Sequence, residues 1–233
     1  MASPKQTQTP RAVARGKASA LIAEFEESGS SFGSLSKFRD LHPTAAVLLF
    51  TPIIVPTGYQ GTHGQQSLQV AMDFKAPATS GSKDGHCDTD PFETLGRAMS
   101  KQHNRIMHVP FVPSVGFTKT HEAFLAAGDA VLVVSCVPEQ LTGGERSSIE
   151  AILAKQVEFG RAVANSLKAR ARQVPFTTFS FGSDDWLNEI AQGLNHVWVG
   201  DKYNADSIEN ILTLLFDVKA PKAEPAPAKS AQS

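Results

Sequence analysis

The run AVLVVSC, residues 130–136, constrains this chain most. Both alternating sets of its side chains are apolar, which is the pattern of a strand buried on its two faces. Such strands belong to parallel sheets covered by helices on either side. The neighbouring segments repeat the theme. AAVLLFTPIIV, from 45, opens with a short continuous apolar run and reads as another buried strand. RIMHVPFV, from Arg105, is a strand that Pro110 is expected to shorten. VPFTTFSF (174–181) and HVWVG (196–200) supply two more.

Helical patterns fall between these runs. In DPFETLGRAMSKQH, Asp90 stands at an N-cap, Pro91 at N1 and Glu93 at N3, which predicts a capping box. Phe92, Leu95 and Met99 follow at helical spacing. Thr120 is the expected cap of HEAFLAA, which Gly128 ends. A long helix runs through SSIEAILAKQVEFGRAVANSLKARAR, with Ile149, Ile152, Leu153, Val157, Val163 and Leu167 on one side. Ser183 caps DDWLNEIAQGL, and ADSIENILTLLF turns Ile208, Ile211, Leu212 and Leu215 inward. Strand–helix alternation of this kind predicts a three-layer α/β domain. Its sheet has five or six mostly parallel strands in the flavodoxin-like manner, with right-handed crossovers. Residues 17–219 make this domain, with a long insertion over 52–90. The basic stretch 1–16 and the Ala/Pro/Lys-rich stretch 220–233 are expected to be disordered tails, since neither has an apolar stripe to bury.

Composition narrows the classes of partner. With 22 basic and 23 acidic residues the net charge is −1, which gives nucleic acid no electrostatic footprint. No apolar run approaches the roughly 18 residues of a membrane span. Two cysteines, Cys87 and Cys136, make no disulfide framework. The expectation is a cytoplasmic protein. The acid-free start, with Arg11, Arg15 and Lys17, keeps mitochondrial targeting by residues 1–20 as the lesser alternative.

Ligands of such sheets sit beyond the carboxyl ends of the strands. Here that edge carries Thr51, Cys136, Thr142, Asp184, Asp185 and Asp201, which are the candidate ligand-binding residues. No GxGxxG follows a strand, and neither a Walker-type phosphate loop nor a GxSxG elbow occurs, so no cofactor is expected. Cys136 with His108 or His121 as base would be a nucleophilic pair, but a small core residue is the stronger reading of Cys136. His63, His86, Cys87, Asp88 and Asp90 have no recognised metal-ligand spacing and read as a polar loop. Arg161, Lys168, Arg170 and Arg172 suit the C-terminal dipole of the long helix. Trp186 and Trp198 read as core.

The order of these segments resembles the C-terminal α/β domain of glycoside hydrolase family 3, in its fungal β-N-acetylhexosaminidase-like branch. A strand reading "VLLLTP" in that family matches 47–52. Its "FE.LGR.L" and "H.R..H" match 92–97 and 103–108, its "H…L" helix matches 121–125, and the following apolar strand matches 130–135. Further on, its "DR", "Q..LI.AVA", strand ending in "SG", "W" and "GD" match Glu145–Arg146, Gln156 to Ala164, Phe179 to Ser183, Trp198 and Gly200 in the same order. The resemblance covers about residues 40 to 218 and implies a carbohydrate ligand or a protein partner. It also marks what this chain lacks. The family's nucleophile lies on a separate (β/α)₈ barrel for which the chain has no room. In the glucosidase branch the acid/base is a Glu within "E-G-x-D-R". Alignment on Gly143–Arg146 puts Thr142 there, and Thr cannot serve as a carboxylic acid. Glu139 and Glu145 are the remaining catalytic candidates. The resemblance therefore implies a stand-alone domain without autonomous glycosidase activity. The alternatives are a subunit or remnant of a β-N-acetylhexosaminidase or β-glucosidase, and an unrelated enzyme using the carboxyl edge.

Overall fold

The computed structural model describes residues 35–59, 90–139, 146–170, 173–182 and 196–217. The expected tails, residues 60–89 of the insertion and the helix read over 184–194 lie outside them. In chain order the elements are α1 (Ser36–Arg39), β1 (Val47–Pro52), α2 (Glu93–Ser100), β2 (Ile106–Phe111), α3 (Lys119–Ala127), β3 (Ala130–Cys136), α4 (Arg146–Lys168), β4 (Phe176–Phe181), β5 (His196–Gly200) and α5 (Ala205–Phe216).

All five strands are parallel, in the order β2-β1-β3-β4-β5. The chain starts near the centre, steps outward to β2, then passes back over β1 to β3. This is the flavodoxin-like order, with its switch point between β1 and β3. The apolar alternation explains the three layers. Val47, Leu49, Leu132 and Val134 face α1, α2 and α5, where Phe38, Leu95, Met99, Ile211 and Leu215 meet them. Leu48, Phe50, Val131 and Val133 face the opposite way, onto Leu125 of α3 and Val157, Val163 and Leu167 of α4. On that second face Phe159 stacks on Phe111 with ring centroids 3.8 Å apart.

Several local expectations are corrected. Pro110 does not shorten β2, which runs on to Phe111 beside Pro52. A missing donor is tolerated there because β2 is an edge strand. Asp90 does cap the first turn of the 91–100 segment, its Oδ1 accepting from the Phe92 N–H at 2.8 Å. The reciprocal half of a capping box is absent, because Glu93 instead pairs with Arg97 one turn on. The cap of α3 is Thr118 rather than Thr120, and His121 supplies the returning half of its box. In α5 it is Leu214 that is buried, and Leu212 only partly so. Asn204 and Ser207 cap that helix reciprocally. Arg170 does not simply complement the dipole of its own helix. Its guanidinium donates to the carbonyl of Leu125, in the last turn of α3, and to that of Glu122 one turn before it.

Candidate functional site

The carboxyl edge splits into two regions. The first is the gap between β1 and β3. Their pairing ends at Phe50 and Val133, although β3 continues to Cys136. The Val131 N–H donates to Pro175 on the β4 side, so by alternation the Cys136 N–H points toward β1, where no strand remains. Gln156 of α4 fills that place. Its Oε1 accepts from the Cys136 N–H at 2.8 Å, and its Nε2 donates to the Cys136 carbonyl at 2.9 Å. The side chain is fully buried and acts as a one-residue substitute for the missing strand.

Above the gap, the segment after β1 folds back as a strap. Pro56 and Pro138 form an isolated antiparallel bridge. The Glu139 N–H donates to Val55 and the Thr57 N–H to Val137. Glu139 turns its Oε2 to accept from the Gly58 N–H at 2.6 Å. Gly58 has φ +81, and a Cβ there would lie 2.7 Å from Lys202 Cβ, so glycine is required on both counts. The strap then reaches the loop after β5, where the Tyr203 N–H donates to the Thr57 carbonyl at 2.8 Å.

The second region is the mouth at the first turn of α2. Thr51 Oγ1 lies 2.7 Å from His108 Nε2. Asp90 Oδ2 lies 3.5 Å from that same nitrogen. Both Asp90 and His108 are partly exposed, whereas Thr51 is fully buried. Burial lowers the His108 pKa below the usual imidazole value, with the Asp90 and then the Glu93 carboxylate pulling the other way. Beside them, Tyr203 is 3% exposed. Its ring meets Phe92 at 5.0 Å, Phe181 at 5.2 Å and the partly buried Tyr59 at 6.3 Å. The Tyr203 hydroxyl makes no hydrogen bond of full geometry, the Leu95 main-chain N–H being the donor that acts on its oxygen.

This geometry limits the chemistry. A hydroxyl–imidazole–carboxylate relay needs the nucleophile and the acid on different ring nitrogens. Here both approach Nε2, and Thr51 is out of reach of a substrate. Cys136 is sealed in the core, and burial pushes its thiol well above the usual range. His121 offers it no base. The His121 ring packs against Phe50 and Phe159 on the opposite face of the sheet, and its Nδ1 accepts from the Thr118 N–H at 3.0 Å.

Of the candidate residues, Thr51 and Cys136 are buried on the α2 side, Glu139 braces the strap, and Asp201 stands exposed in the turn after β5. Thr142, Glu145, Asp184 and Asp185 lie outside the described residues, as do His63, His86, Cys87, Asp88, Arg172 and Trp186. Trp198 is half-buried against Val137, Ile149 and Leu153, and its Nε1 donates to the Gly182 carbonyl at 2.7 Å. Among the described residues no group of three or more His, Cys, Asp or Glu is placed to hold a metal ion, and no helix is long and apolar enough to cross a membrane. Sequence reasoning missed Tyr59 and Tyr203, and it gave Gln156 a place in the resemblance but no role in bracing the sheet. Gln156 did leave a signal, being a polar residue one turn beyond Ile152 inside the apolar stripe of α4. No protein-family model and no curated protein matches this chain.

Proposed function

We propose that the chain is a carbohydrate-binding relative of the glycoside hydrolase family 3 C-terminal domain, which holds its ligand at the mouth of α2 and does not cleave glycosides by itself. The observation that carries this reading is the grouping around Tyr203 of a partly exposed aromatic ring, Tyr59, and a partly exposed carboxylate, Asp90, which in turn lies 3.5 Å from the His108 imidazole. Sugars present apolar faces and hydroxyl rims, and a ring edged by a carboxylate acceptor and an imidazole complements both. The sequence likeness over residues 40 to 218 supports the family reading. Gln156, which matches the glutamine of the family's pattern, is a buried brace of the sheet edge. The non-catalytic part is supported by the engagement of Glu139 with the Gly58 N–H and by Thr142 at the aligned acid/base position.

The test is calorimetric titration of the full chain with D-glucose and N-acetyl-D-glucosamine, together with hydrolysis assays on their aryl β-glycosides. The expected result is saturable binding of one sugar and no turnover above background. Turnover that disappears in Glu139→Gln or Glu145→Gln, with the fold intact, would contradict it. Activity arising only after a barrel-containing protein is added would make the chain a subunit instead. Absence of sugar binding would leave a protein partner as the better reading.

A further inference from the structure

The Tyr203 hydroxyl is buried without a hydrogen bond of full geometry at the first turn of α2. Among the described residues three other hydroxyls are buried and unpaired, those of Ser135, Thr177 and Thr178, but all three lie on strands inside the sheet. A short Ser or Thr hydroxyl lies close to backbone carbonyls of its own and adjoining strands. A phenol cannot turn back in this way, because its oxygen is held at the far end of a rigid ring. The ring itself is held by Phe92 and Phe181, and the Tyr203 N–H is bonded to the strap. The Leu95 main-chain N–H is the group nearest to bonding the phenol oxygen, and the hydroxyl's own proton is kept in place with no acceptor, which weakens the fold.

We propose that the Tyr203 hydroxyl is the inner end of a subsite for one uncharged hydroxyl of a ligand, with Tyr59, Asp90 and His108 as its outer wall. This deepens the carbohydrate reading and rests on it. The charge of the group follows from the neighbours. Burial raises the phenol's pKa, the Leu95 main-chain N–H pulls the other way and the Asp90 carboxylate adds to the rise, so the phenol stays protonated and donates. An anionic group would be repelled by Asp90, whereas Glu93 is already paired with Arg97. A ligand hydroxyl accepts from the phenol and donates to a carboxylate, which meets both demands.

The test compares the full chain with its Tyr203→Phe variant by melting temperature and by calorimetric titration with D-glucose and N-acetyl-D-glucosamine. Removing an unsatisfied hydroxyl should leave the melting temperature unchanged or raise it. Removing a used donor should weaken sugar binding at least about tenfold. Unchanged affinity in the variant would overturn the subsite and leave carbohydrate binding standing. A fall of several degrees in melting temperature would show the hydroxyl to be part of the fold's own bonding, and would also overturn it. Failure of both proteins to bind either sugar would overturn the subsite and the carbohydrate reading together.

Discussion

At the gap between β1 and β3, Gln156, Thr57 and Glu139 take up backbone groups that the diverging strands release. At the mouth of α2, a few residues away along the same edge, a phenol's proton is left without an acceptor and an acid–imidazole pair is left partly wet. In doubly wound sheets the gap is where ligands usually enter. Here it is filled and strapped, and the spare hydrogen-bonding capacity lies at the mouth. The contrast separates groups that complete the fold from groups available to a ligand.

The largest expected effect breaks the closed region. Gln156→Leu keeps the bulk but strands the buried N–H and carbonyl of Cys136. The cost should be about 2–5 kcal/mol, read from the urea midpoint at constant slope. A loss below about 1 kcal/mol would mean that the amide does not stand in for a strand. Gly182→Ala comes next. Gly182 has φ +122, and a Cβ there would lie 2.3 Å from Val137 Cγ2. A loss of about 1–3 kcal/mol is expected from the strained backbone and the collision. Part of it should return in the double variant with Val137→Ala, measured as a coupling energy. Glu139→Ala removes one charged acceptor from a partly exposed strap and should cost about 1 kcal/mol. A larger effect on any glycoside turnover than on stability would give Glu139 a role in chemistry instead.

The smallest effect is on pH dependence and belongs chiefly to the mouth. Burial is the main cause that lowers the pKa values of His108 and His121 in the fold. In the unfolded chain both return to the ordinary value of about 6.5. Below that pH the unfolded state takes up protons that the folded state resists. Stability should therefore be highest above about pH 6.5, decline as pH falls, and level off below the folded-state pKa values. Urea midpoints across this range check the sign, and His108→Gln should flatten the slope. A stability that rises on acidification would mean that the Asp90 and Glu93 carboxylates outweigh burial.

The strands were legible because burial on two faces leaves a period-free apolar run, as in 130–136, whereas right-handed crossovers narrow the sheet order without fixing it. The buried state of Cys136 was legible for the same reason. Helix starts were read less well. Thr118 and Thr120 are chemically equivalent caps, and the choice depended on His121 turning back to the Thr118 N–H. The site was the least legible part. Glu139 looked like a spare acid, because its partner Gly58 is 81 residues away in the chain. Tyr203 looked like an ordinary loop aromatic, because the absence of an acceptor is a property of the packed edge and has no local pattern.

The most direct test of where the ligand sits is to follow backbone amide chemical shifts of the isotopically labelled full chain during titration with N-acetyl-D-glucosamine. The account predicts saturable shifts at Tyr59, Asp90, Phe92 and His108, with Gln156, Cys136 and Val137 unmoved. Shifts led by Gln156, Cys136 and Val137 would put the ligand in the β1/β3 gap and contradict it.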